Sequence, residues 1–259
     1  MPPKPPDSET DISRTGRVVA AIPVRYASTR LPGKALIEIA GVPMIERVYR
    51  RASMARGLAA VIVLTDDQRI AEVVRGFGGE VEMTPADCAS GTDRIAHAAR
   101  SWEAEAILNV QGDEPLIEPA SLETLADHLV RNPRDQVATL AFPASSQDLA
   151  TPDVVKVVTD LKGYALYFSR APIPYPRNRE KASVLRHVGV YGYQRQALLE
   201  IAAHEPTPLE QAESLEQLRM LESGVPIRVL RTKHAWPGVD TMDDLQKVEE
   251  LLRERPELA

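Results

Sequence analysis

The feature that most narrows what this chain can fold into is an alternation, through its first half, of short apolar runs with stretches of helical periodicity. The runs Val18–Val24, Ala60–Leu64, Val81–Met83, Ile107–Val110 and Val137–Phe142 are each too short for a typical helix, and several end in polar or turn residues. Between them, Pro43 opens a helix at a favoured first-turn position. Met44, Ile45, Val48 and Ala52 recur on one face of it while Arg47, Arg50 and Arg51 point elsewhere. Gln68–Arg75, Thr92–Ala99 and Ser121–Val130 carry the same periodicity. Alternation of this kind is that of a sheet built from βα units and predicts an α/β fold.

The texture changes near Val154. VVKVVTD and YALYFSR are two strand-like runs separated by Leu161-Lys162-Gly163, the pattern of a hairpin. APIPYPRNREKASV, with three prolines in its first six residues, excludes regular helix or central strand and is expected to form an exposed loop or arm. A strand around Val188–Tyr193, helices Gln196–His204 and Leu209–Glu222, a strand Ile227–Leu230 and a closing helix Asp243–Arg253 complete the chain, with no internal repeat.

At 259 residues and 44% hydrophobic content the chain is long enough for one large α/β domain with a catalytic cleft. A net charge of −6 argues against a general nucleic-acid binder, which needs a basic face to displace phosphate counterions. The single cysteine, Cys88, excludes an intramolecular disulfide and disfavours a structural zinc site, which fits the cytoplasm. Residues 1–16 are proline-rich and polar and read as a disordered tail, leaving 17–259 as the folded domain; no run is long enough to anchor the chain in a membrane.

Ligands of open α/β sheets bind beyond the carboxyl ends of the strands, which directs attention to the loops after the first and fourth strands. The first, RYASTRLPGK, gathers Arg25, Arg30 and Lys34 with Ser28 and Gly33 and has no acidic residue. Guanidinium groups pair with phosphate oxygens, lysine adds a point charge and glycine lets backbone N–H groups approach, as a triphosphate requires. On charge alone a solvated basic loop is the commoner reading. The second loop, NVQGDEP, sets Asp113 at a strand end, where it could hold magnesium or form a turn. Asp240, just before the last helix, reads on its own as a helix-start residue. Ser90-Gly91-Thr92-Asp93-Arg94 opens a helix with free N–H groups, suited to reading a base or ribose or simply to capping. Arg170, His187, Tyr191, Glu216 and Gln217 are the residue types an acidic polyol sugar would need. His97, His204 and His234 have no context that singles them out.

Taken in order, RYASTRLPGK, TDD at 65–67, SGTDR, NVQGDEP, GYALYFSR, RHVGVYGY, LEQLR and GVDT resemble the 3-deoxy-manno-octulosonate (Kdo) cytidylyltransferases, or CMP-Kdo synthetases, from about Val18 to Leu252. The resemblance implies a nucleotide-diphospho-sugar transferase-like fold with a mixed, mainly parallel sheet flanked by helices. It also implies a smaller inserted subdomain, about 154–185, that forms a homodimer. The implied reaction is transfer of CMP from CTP to the anomeric hydroxyl of Kdo, with pyrophosphate released, for lipopolysaccharide or related polysaccharide synthesis; Mg2+ is the implied cofactor. By motif match, Arg25, Ser28, Arg30 and Lys34 contact the CTP phosphates, with Arg25, Lys34 and Asp113 as the catalytic set. Ser90, Thr92 and Arg94 lie near the cytidine, and Gln111 faces both nucleotide and sugar. Asp113 and Asp240 ligate magnesium, and Arg170, His187, Tyr191, Glu216 and Gln217 line the sugar pocket. A cytidylyltransferase for 8-amino-Kdo or sialic acid, or a catalytically silent nucleotide-sugar binder, are the competing readings. The arm between YFSR and RHVGVYGY is shorter than in some family members.

Overall fold

The structure, a computed structural model, describes residues 17–27, 31–178, 184–233 and 237–258. The predicted N-terminal tail, together with Ser28, Arg30 and His234, lies outside them.

Strand β1 (Val18–Pro23) occupies the centre of the sheet and is buried on both faces, which is why it reads as a continuous apolar run. Val19 and Ala21 pack into one core layer; Val18, Ala20 and Ile22 pack into the other. After β1 come a two-residue hairpin, β2 (Glu38–Ile39) and β3 (Val42–Pro43), and helix α1 (Met44–Ser53). The chain continues through β4 (Ala60–Thr65), α2 (Gln68–Gly76), β5 (Glu80–Met83), α3 (Gly91–Ala99), β6 (Ala106–Asn109), α4 (Pro119–Arg131), β7 (Val137–Pro143) and α5 (Ser146–Ala150). A hairpin of β8 (Lys156–Thr159) and β9 (Ala165–Ser169) precedes β10 (Leu185–Gln194), α6 (Arg195–Ile201), α7 (Pro208–Glu213), α8 (Gln217–Glu222), β11 (Ile227–Arg231) and α9 (Met242–Glu254).

The main sheet runs β11-β7-β10-β6-β1-β4-β5. β10 is antiparallel to both of its neighbours, whereas β6-β1-β4-β5 and β11-β7 pair in parallel, so the sheet is mixed and mainly parallel as expected. The predicted hairpin is present: the Asp160 carboxylate accepts from the Lys162 and Tyr164 N–H groups, and Gly163 takes a left-handed φ of 85°. β8 pairs with β10, which joins the hairpin to the main sheet.

Two sequence expectations need correction. Arg47 and Arg51 do not point away from the core: they are 8% and 7% exposed, and their guanidinium groups donate to the Ile39 carbonyl and to the Ile117 and Leu258 carbonyls respectively. Of the three arginines placed outside, Arg50 alone is outward, bonded to Glu46 one turn earlier. The single helix expected over Leu209–Glu222 is two, broken at Ser214, whose φ of 51° is left-handed. The break is held by Arg219, which donates two bonds across it to Glu210 at 2.8 and 2.6 Å.

Candidate active site

The strand ends assemble the site. β1 delivers Arg25, and a hydrogen bond from Gly33 N to Tyr26 O at 3.1 Å closes the loop that follows. Gly33 needs its left-handed φ of 67° here, and a Cβ on it would meet the Tyr26 ring at 3.3 Å. Tyr26 is covered in turn by the Arg69 guanidinium, 3.4 Å from the ring centroid and bonded to Asp67 of the TDD sequence. β6 delivers Gln111, Gly112 and Asp113 beside β1, and the helix α3 start adds Ser90. The result is a cleft of about 440 Å³ whose wall includes Arg25, Lys34, Ser90, Arg94, Gln111, Asp113 and Asp240.

At its floor the Lys34 ammonium donates to Asp113 Oδ2 at 2.6 Å and to Asp240 Oδ1 at 3.0 Å. Burial pulls the Lys34 pKa down, but the charge and hydrogen bond of Asp113, with those of Asp240, more than offset it and hold the pKa above its usual value. Asp240 is brought there by a backbone bond from Val239 N to Asp113 O at 2.8 Å. It does not cap α9. Thr241 does, in a reciprocal capping box with Asp244, and the Asp240 side chain is left to face the cleft.

A second cavity, about 390 Å³, adjoins the first and shares Gln111 and Asp240 with it. Its walls carry Thr92, Arg170, His187, Tyr191, Glu216 and Gln217. Thr92 therefore sits on this wall, two residues along from Ser90. Ser90 Oγ donates to Glu216 Oε1 at 3.0 Å, and Glu216 is also hydrogen-bonded to Thr92, so one carboxylate spans the partition between the compartments. Burial raises the Glu216 pKa, and these two hydroxyls oppose the rise. Arg94 lines the first cleft but is 4% exposed, held by Thr84, Pro85 and Asp66. Arg170 is anchored through its Nε to the Glu213 carbonyl and through Nη1 and Nη2 to the Pro152 and Ser214 carbonyls. Among the described residues three of its five N–H groups are thus used, which leaves two for an anion.

His187 is walled in by Phe168 and Tyr191 and exchanges a hydrogen bond with Thr139 at 3.0 Å. Burial pushes its pKa down from 6.5 to about 3, so the folded protein keeps the ring neutral. Below pH 6.5 the unfolded chain binds a proton that the folded one refuses, so this contribution to stability is present above 6.5 and lost as pH falls toward 3. At pH 5 the loss is about 2 kcal/mol. Urea unfolding at pH 7 and pH 5 is expected to show a drop smaller by about that amount in His187→Gln than in the parent. Identical drops would mean that the folded protein protonates the ring.

Three contributors escaped the sequence reading. Glu114 sits behind Asp113, its pKa pushed up to about 8 first by burial and then by the Asp113 charge. Glu213 accepts from Ser169 Oγ at 2.6 Å and from Arg170 N at 2.9 Å. Lys156, fully buried in β8, donates to the Thr151, Val154 and Arg170 carbonyls. The signal for the last was present: a lone lysine inside the apolar run VVKVV.

Comparison with known proteins agrees with this architecture. A family model described as cytidylyltransferase matches residues 19–229. The 3-deoxy-manno-octulosonate cytidylyltransferase of Geobacter sulfurreducens is 51% identical over 248 residues, covering 91% of this chain and 99% of the relative. The Escherichia coli protein of the same name is 48% identical over 236 residues, covering 91% and 96%. A solved CMP:2-keto-3-deoxy-manno-octonic acid synthetase complexed with CTP superposes with a TM-score of 0.89 at 47% identity, covering 92% of this chain and 99% of that one. A chain with this sheet, these paired clefts and this degree of identity belongs to the 3-deoxy-manno-octulosonate cytidylyltransferase family of nucleotidyltransferase enzymes.

Proposed function

We propose that the protein transfers CMP from CTP to the anomeric hydroxyl of Kdo and releases pyrophosphate, in the cytoplasm, for Kdo-containing polysaccharides such as lipopolysaccharide. The observation that carries the reading is the junction of the two clefts at Gln111 and Asp240, with the cations Arg25 and Lys34 on one side and Arg170 on the other. CTP occupies the first cleft and the acidic sugar the second, so that the attacking oxygen and the α-phosphate meet at the shared wall. Arg25 and Lys34 stabilise the leaving pyrophosphate. The two spare N–H groups of Arg170 take the sugar carboxylate, while neutral His187 and the hydroxyl of Tyr191 bond its hydroxyls. Holding both reactants across one wall is itself the larger part of such a displacement, which needs alignment and charge neutralisation more than a protein nucleophile.

The carboxylates of Asp113 and Asp240 fit magnesium. They already converge on a single cation, the Lys34 ammonium, and Mg2+ characteristically takes one or two protein carboxylates together with substrate phosphates. Among the described residues there is no cluster of three or more His, Cys, Asp or Glu of the kind that would hold a metal alone. Magnesium bound there would lower the negative charge met by the attacking oxygen. Among the described residues no helix is long and apolar enough to cross a membrane. Leu166, 63% exposed on β9, and Tyr175, 83% exposed on the segment after it, support a homodimer built through 154–185.

The deciding assay is Mg2+-dependent pyrophosphate release from CTP with Kdo, 8-amino-Kdo and sialic acid offered separately. Release with Kdo is expected. Release with another sugar alone would overturn the acceptor, and none with any sugar would leave a silent binder.

A further inference from the structure

We propose that Lys34 bars a divalent cation from the Asp113–Asp240 pair until a nucleoside triphosphate draws its ammonium away, so that the metal enters with the nucleotide and not before it. The inference rests on the reading of these aspartates as metal ligands. Lys34 Nζ lies 2.6 Å from one carboxylate and 3.0 Å from the other, so the ammonium occupies the place between the two carboxylates that would hold a divalent ion. Ammonium and metal cannot share it, sterically or by charge.

The contact is also better shielded than a surface pair. The side chains of Lys34, Asp113 and Asp240 are 16%, 33% and 45% exposed, so water screens their attraction only in part. Each carboxylate comes from a different loop, and the two loops are joined by the bond from Val239 N to Asp113 O, so the pair is held ready around the ammonium. Lys34, by contrast, begins a single turn of 3-10 helix, Lys34–Leu36, and reaches the carboxylates on a four-carbon stem. It can swing toward the cleft without moving the backbone. A triphosphate carries more negative charge than the two carboxylates together and offers stronger charge-assisted bonds. Its arrival therefore exchanges one set of lysine contacts for another and removes the ammonium from between the two aspartates, in favour of the ion that the phosphates carry in. Free-enzyme affinity for the bare metal is the quantity this arrangement suppresses.

The test is Mn2+ binding to the nucleotide-free protein, read by electron paramagnetic resonance of the unbound ion. Lys34→Met is expected to bind Mn2+ about tenfold or more tightly than the parent. Arg25→Met removes the same charge from the same cleft wall and is expected to change the affinity by about twofold at most. Equal gains in the two variants would reduce the effect to net charge and overturn the gate. So would no gain in Lys34→Met, provided that Asp113→Asn still weakens Mn2+ binding in the presence of CTP. A Lys34→Met gain that survives in Lys34→Met/Asp113→Asn would instead place the ion elsewhere and overturn the ligand assignment. Circular dichroism of each variant confirms that the fold is kept.

Discussion

Asp113→Asn is expected to lower the rate of pyrophosphate release from CTP and Kdo by about a thousandfold while leaving the fold intact. The substitution keeps the size of the side chain and removes the charge that Lys34 meets at 2.6 Å. Lys34 retains Asp240 at 3.0 Å, and the Asp113 backbone carbonyl still accepts from Val239, so the loop has reason to stay in place. What disappears is the negative charge that, on the proposed reading, holds a divalent cation against the phosphates. Thermal unfolding is therefore expected within a few degrees of the parent, a pair with these exposures contributing about 1 kcal/mol. Steady-state turnover and a thermal melt on the same preparation check both halves. A folded variant that releases pyrophosphate at a near-normal rate would take Asp113 out of the mechanism.

The largest stability effect is expected far from the carboxylates. Lys156 has no exposed surface, and its ammonium donates to three carbonyls, those of Thr151, Val154 and Arg170. Lys156→Met keeps the stem and strips all three acceptors of their donor. Removing a charge is itself favourable in a buried place, but leaving several carbonyls unmatched is not, and the net loss should be about 3 kcal/mol. For a chain of this size that lowers the melting temperature by roughly 6–12 °C. Because one of the carbonyls belongs to Arg170, whose guanidinium lines the second cleft, the KM for the sugar should rise severalfold while that for CTP stays put. An unchanged melting temperature would mean that water replaces the ammonium. A parallel rise in both KM values would mean that the damage is global.

Much of the fold was legible because strands buried on both faces must be apolar throughout, and β1, β4, β6 and β7 announce themselves by that rule. The two-residue strands β2 and β3 are too short for any period to register. Arg47 and Arg51 defeated the amphipathic reading because the carbonyls that accept from them come from outside α1, two of them far along the chain. The break at Ser214 was hidden for a different reason: neither glycine nor proline marks the stop. In the site, residues at strand ends were findable, since topology alone says where ligands bind. Asp240 was not readable on local grounds, where Thr241 and Asp244 form the cap and Asp240 merely precedes it. Its meeting with Lys34 spans 206 positions, a fact of tertiary structure that no window along the chain contains.

That span has a consequence for the order in which the living cell obtains the protein. The sheet's centre, β1 with β4 and β6, is complete once the first 109 residues have left the ribosome, and Asp113 follows at once. The partner carboxylate is made 127 residues later, and the backbone bond from Val239 to Asp113 is among the last long-range connections to close. The chain is thus extended by 127 residues with only one carboxylate of the pair in place. The pair is therefore incomplete until the segment that docks against Asp113 has been made, and that segment also brings α9 to cover the core beneath it.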